Sequence, residues 1–205
     1  MENIHTLLIG GPQMGKILVY VFNQMTDYEI SFVCHILRTN AGKEVVTIGE
    51  GNYPIRTSSG FIITPEYTLS EIDITNVDGL ILCGGYPPQD NREIVELIKQ
   101  LDVQKKMLAA IGNAGTLFLA QSGILQNSHY TTPIKTWEGD YRILFGEKDP
   151  FPRSNHLKQR LVRSQHVITA DGTAFLDFTV EVCSWLKLFK NHHEKHNFAK
   201  LLKQI

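Results

Sequence analysis

Cysteine is scarce in this chain: Cys34, Cys83 and Cys183 are the only three among 205 residues. An odd, widely spaced set with no C-x-x-C pair makes no disulfide framework and fits a reducing cytoplasm. An excess of charge of one sign is lacking too. The 20 Lys and Arg stand against 21 Asp and Glu, a formal net charge of −1, so nothing points to bulk binding of nucleic acid or anionic lipid. No apolar run approaches the ~20 residues of a membrane span. Met1–Met14 has neither the basic start nor the small-residue cleavage site of a secretory signal. What remains is an ordinary globular mix, 42% hydrophobic and 20% charged, long enough to bury about 70% of its unfolded surface in one domain. The expectation is a cytoplasmic protein with no membrane or nucleic-acid partner: a leader over 1–15 and a single domain over 16–205.

Strand and helix patterns alternate along that domain. Lys16–Phe22 (KILVYVF) is a β-branched and aromatic run that predicts a buried strand. Tyr28, Phe32, Val33, Ile36 and Leu37 share one helical face, which Asn40 and Gly42 terminate. Lys43–Ile48 predicts a second strand, Thr57–Pro65 a short edge pair turning at Gly60, and Asp78–Cys83 a strand running into Gly84–Gly85. Helical spacing returns over Asn91–Gln100, a strand over Lys106–Ile111, and a helix over Ala114–Ser122 capped by Gly123. Gln126–Arg163 carries Pro133, Pro150 and Pro152 and offers only a short strand at Tyr141–Phe145. His166–Ala170 reads as the last strand and Asp171–Gly172 as a turn. Phe175, Phe178, Val182, Trp185 and Phe189 form the stripe of a long helix, with one more short helix in Asn191–Ile205. The alternation predicts an α/β sandwich of three layers around a mainly parallel sheet. Sites in such sheets lie at the carboxyl ends of strands, here Asn23–Glu29, Cys83–Pro88 and Gly112–Gly115.

Two motifs fail on inspection. Gly10–Ile17 (GGPQMGKI) is one residue short of the phosphate loop G-x-x-x-x-G-K-[ST]. That loop needs a hydroxyl for Mg²⁺ and a helix to cradle phosphate, whereas Ile17 replaces the hydroxyl and a strand follows. His192, His193 and His196 miss the H-E-x-x-H spacing of a zinc protease. No metal site and no cofactor are expected, and Lys187–Lys203 lacks the interleaved aromatics of a nucleic-acid stripe.

Leu108–Leu125 (LAAIGNAGTLFLAQSGIL) is the most informative segment. A strand passes through a tight turn of small residues into a helix, the geometry of a nucleophile elbow. It resembles the ThiJ/PfpI family, relatives of the class I glutamine amidotransferases, whose elbow reads roughly A-A-I-C-x-G and continues to A-G-L-L. Val19–Glu29 (VYVFNQMTDYE) is similar to the family's first strand and acidic helix start. Asp78–Gly85 (DGLILCGG) is similar to its strand ending in a glycine pair, and Val167–Phe178 (VITADGTAFLDF) to its closing strand and helix. In the family's order, these cover most of Lys16–Phe189. The resemblance implies a flavodoxin-like sheet, a homodimer, and a small-molecule or peptide site built on a cysteine thiolate.

That thiol is missing. Aligning N-A-G with C-x-G puts Asn113 at the nucleophile's place, and aligning A-A-I puts Gly112 there. The chemistry needs a thiolate at a helix amino terminus, and neither residue supplies one. Asn113 also suits a helix N-cap. Glu29 corresponds to the glutamate that hydrogen-bonds the family's nucleophile, where partial burial would raise its pKa. Thr26-x-x-Glu29 equally spells a capping box. Gly84–Gly85 stands where an oxyanion hole would, or is a plain turn. His129 is nearest the family's histidine segment, although a gap-free register puts Tyr130 there, and Ala114 follows the elbow where some members have histidine. The sequence therefore predicts a member lacking the elbow cysteine, a non-catalytic binding or regulatory protein that holds a small-molecule ligand around Glu29, Gly84, Gly85, Gly112, Asn113 and Ala114. The alternative is an intracellular hydrolase of the same family, a peptidase, an amidase or a small-molecule hydrolase, with Cys83 as a displaced nucleophile against its reading as a buried packing residue.

Overall fold

The structure, a computed structural model, describes residues 15–203. The expected leader, apart from Gly15, and most of the near-miss phosphate loop lie outside the described residues. In chain order the elements are β1 (Lys16–Tyr20), α1 (Tyr28–Thr39), β2 (Glu44–Gly49), β3 (Ile55–Arg56), β4 (Ile62–Ile63), β5 (Tyr67–Thr68), β6 (Val77–Leu82) and α2 (Arg92–Val103). They continue with β7 (Met107–Ile111), α3 (Gly112–Ser122), α4 (Asp140–Phe145), β8 (Leu161–Ser164), β9 (Val167–Ala170), α5 (Phe175–Trp185) and α6 (His192–Lys203).

Seven strands form one sheet in the order β5-β2-β1-β6-β7-β9-β8. It is parallel except for β8, which runs antiparallel to β9. The inner strands are apolar on both faces because both faces are covered: every residue of β7 (MLAAI) is buried. From β1 the chain crosses one way, to β2; from β6 onward it moves the other way. Crossovers of a single hand then put α1 on one face and α2 and α3 on the other. The packing agrees, with α1 against α5 and α2 against α3. This is the mostly parallel, flavodoxin-like α/β sandwich expected from the sequence. The reversal between β1 and β6 opens a crevice at their carboxyl ends, beside the end of β7.

Three local expectations change. Tyr141–Phe145 is part of a helix, α4, rather than a strand. The place beside β9 is taken by β8, an edge strand with no clear signal in the proline-bearing stretch. The α4 segment instead folds back on itself: Trp137 stacks on Tyr141 with ring centroids 5.6 Å apart, and its Nε1 donates to the Gly146 carbonyl at 2.9 Å. The edge pair forms at Ile55–Arg56 and Ile62–Ile63, flanking the Gly60 turn. The long last helix stops at Trp185; Lys187 takes φ +57°, and Phe189 packs on Phe198 of α6 at 5.5 Å between centroids. No helix among the described residues is long and apolar enough to cross a membrane.

Candidate functional site

The chain leaves β7 and enters α3 at Gly112, whose φ is +74°, a conformation glycine adopts without a side-chain penalty. Space requires glycine as well. A Cβ at position 112 would stand 2.6 Å from both carboxylate oxygens of Glu29 and 2.8 Å from the Cα of Gly84. The turn of small residues is thus explained by what lies over it.

Glu29 comes from the first turn of α1 and is buried. Its Oε2 accepts a 2.6 Å hydrogen bond from the Gly84 N–H, and a Cβ on Gly172 would lie 2.3 Å from its Oε1. The capping box anticipated at Thr26–Glu29 does not form. Asp27 is the residue that precedes the helix, and the Thr26 N–H is taken by the Gly84 carbonyl at 2.8 Å. The glutamate is therefore turned toward the elbow, touching Gly112 while hydrogen-bonded to Gly84. Burial raises its pKa to about 7; the Gly84 N–H opposes that rise and nearby Asp171 adds to it.

Asn113 does not cap α3, which follows Ile111 with no side-chain cap. Standing inside the first turn, it bridges two loops. Its Oδ1 accepts from the Gly85 N–H at 2.9 Å, and its Nδ2 donates to the Tyr141 hydroxyl at 3.3 Å. Both N–H groups of the glycine pair are thus engaged by the protein's own side chains, Gly84 by Glu29 and Gly85 by Asn113. Thr116 fixes the turn from below, donating to the Gly112 carbonyl at 2.8 Å and meeting the Thr132 hydroxyl at 2.7 Å.

Above these residues opens a cleft of about 620 Å³, lined by Tyr28, Glu29, Gly112, Asn113, Tyr141 and Gly172 among others. Of the residues singled out in the sequence, the structure brings together Glu29, Gly84, Gly85, Gly112 and Asn113. Ala114 is fully buried and does not line the cleft. His129 is exposed and also outside the cleft lining, while Tyr130 is buried with its ring stacked on Phe151 at 5.8 Å. Cys83 is fully buried at the end of β6; burial first, and Glu29 second, push its thiol well above the ordinary range. Burial lifts Cys34 and Cys183 to about 12. Among the described residues no His, Cys, Asp or Glu cluster suits a metal ion.

The model of the DJ-1/PfpI family matches residues 15–184, which span the sheet, the glycine pair and the elbow. The chain belongs to the DJ-1/PfpI family. It is 30% identical over 196 residues to a Bacillus subtilis (strain 168) protein named "Uncharacterized protease YoaZ", a match covering 86% of this chain and 86% of that one. Among solved structures it resembles a ThiJ/PfpI family protein from Bacillus anthracis, at 27% identity and a TM-score of 0.77 over 95% of this chain and 92% of that one. A DJ-1 superfamily protein from Agrobacterium tumefaciens shares the fold at 21% identity and a TM-score of 0.76, over 93% and 99% of the two chains.

Within this DJ-1/PfpI frame, Tyr141, Asp171, Gly172 and Lys135 also line the cleft without having been singled out. Asp171–Gly172 had a usable signal: it closes β9 at its carboxyl end, the same position that marked the other three loops. Tyr141 had none, because its stretch shows no helical period and its role depends on a contact 28 residues away in sequence.

Proposed function

We propose that this DJ-1/PfpI-family protein is a binding or regulatory member that holds a small carbonyl-bearing molecule over the elbow without forming a covalent bond to it. The observation that carries this reading is the position of Glu29. Its buried carboxyl group occupies the space above Gly112 into which any side chain at the turn would project. Covalent acyl transfer needs a group there that attacks and later leaves, and Gly112 and Asn113 offer none. What remains is suited to recognition. A ligand oxygen replaces the Asn113 carboxamide on the Gly85 N–H, the carboxamide swinging aside on its own side-chain bonds. Glu29, with its pKa raised to about 7, presents a proton to the ligand on the acid side of neutrality and a charge on the other. The second reading, a hydrolase, is favoured by the name of the Bacillus subtilis relative, a protease. It requires Cys83 as nucleophile, and a thiol so buried and so far raised holds little thiolate at neutral pH.

The test compares wild type with Asn113→Cys and Gly112→Cys, each checked for folding by circular dichroism. Against a panel of amide, ester and dicarbonyl substrates the wild type is expected to be inert. At least one variant is expected to gain an alkylation-sensitive thiol of lowered pKa, because the helix start of α3 still stabilises a thiolate. Wild-type turnover at an ordinary rate, lost in Asn113→Ala, would show the reading to be wrong.

A further inference from the structure

A second cavity, of about 630 Å³, opens beside the elbow cleft and shares Lys135, Asp171 and Thr173 with it. Its charge is out of proportion to the chain. Where the whole sequence balances 20 basic against 21 acidic residues, this wall carries Lys135, Lys158 and Arg160 with His156, against the single carboxylate of Asp171. That carboxylate is already committed to its own turn, accepting from the Thr173 N–H at 3.0 Å and the Thr173 hydroxyl at 2.8 Å. Arg160 is steadied by the Thr173 carbonyl at 3.0 Å and by Asp177 at 3.8 Å. Lys135 and Lys158 have no hydrogen-bond or ion-pair partner among the described residues.

We propose that this cavity is an oxyanion site: it takes the carboxylate or phosphate end of a small molecule whose other end reaches the elbow through the wall both cavities share. The inference rests on the reading of the elbow as a binding site and adds the class of its ligand. Two lysines without a partner and a steadied arginine line one concave surface, and such groups gain most by sharing an oxyanion. His156 lies among them, half-buried. Burial, with Arg153, Lys158 and Lys135 around it, holds its pKa below the ordinary histidine range. At neutral pH the imidazole thus contributes an N–H donor without a charge of its own. On the elbow side, Glu29 and Glu138 join the shared Lys135 and Asp171, so the carboxylates there disfavour a second anion while the Asn113 carboxamide suits a neutral, hydrogen-bonding head.

Proton NMR of the His156 ring, with inorganic phosphate and succinate as probes and sodium chloride at matched ionic strength as the control, tests this. Either probe is expected to move the His156 signal saturably. The one that does so more strongly identifies the oxyanion as phosphate or carboxylate. In the double variant Lys135→Gln/Lys158→Gln, whose exposed side chains are not needed for folding, binding weakens by about ten-fold for each lysine removed. No saturable shift with either probe, the same shift with chloride, or full affinity in the double variant would overturn the proposal. Failure of the elbow reading looks different: turnover by the wild type would refute that reading whether or not His156 responds.

Discussion

Glu29 decides how the elbow behaves with pH. In the folded chain it ionises only as the pH passes about 7, and in the unfolded chain near the ordinary value of 4.5. Between those values the folded state holds a proton that the unfolded state has lost, so its contribution to stability falls as pH rises through that window and levels off above it. Glu29→Gln removes this slope while its amide oxygen can still accept from Gly84. Relative to the variant, wild type is expected to lose roughly 2–4 kcal/mol between about pH 4.5 and about pH 8. Urea unfolding across that range reads the difference directly, and parallel stability curves for the two proteins would contradict the buried, proton-holding glutamate. The same residue shows what a sequence leaves open. Thr26 and Glu29 have capping-box spacing, but the box is lost because the Gly84 carbonyl claims the Thr26 N–H, a partner distant in sequence.

At the scale of elements, α4 is tied to the elbow by a hydrogen bond to Asn113, which joins the Tyr141 hydroxyl to the Gly85 N–H. Tyr141→Phe removes the outer bond and keeps the ring stacked on Trp137. Global stability is expected to change by about 1 kcal/mol or less, while amide hydrogen exchange speeds up in Asp140–Phe145 and not in α3. Unchanged exchange in that segment would mean that Trp137 alone holds it. The elements legible in the sequence were those with their own periodicity. β1, β6 and β7 are apolar runs buried on both faces, and α1 shows a continuous stripe; their positions followed within a few residues. α4 and β8 were not legible, since α4 takes its place from the Trp137 stack and β8 from pairing with β9. The elbow itself was legible as a strand, a small-residue turn and a helix. Which residue takes the left-handed turn was not, because the sequence allows both registers, through Gly112 and through Asn113, and only the fold puts φ +74° at Gly112.

At the scale of the whole molecule, Tyr28, Tyr53, Phe61, Ile62, Tyr67, Tyr86, Val103 and Ile143 are exposed large apolar side chains, and the family resemblance implies a homodimer. Light scattering is expected to return twice the chain mass of 23.2 kDa, and a single-chain mass would refute the dimer. The central claim, however, concerns chemistry, and it is the function proposed above: the sheet, the glycine pair and the elbow of a DJ-1/PfpI domain hold a ligand beside Glu29 without covalent catalysis, since Gly112 and Asn113 carry no thiol. The measurement that tests it most directly is the steady-state turnover of amide, ester and dicarbonyl substrates by the wild type at neutral pH, beside a Cys83→Ser variant. The account predicts no turnover by either protein. A wild-type kcat of about 1 s⁻¹ or more, within the ordinary enzymatic range, would contradict it, and its loss in Cys83→Ser would place the displaced nucleophile at the end of β6.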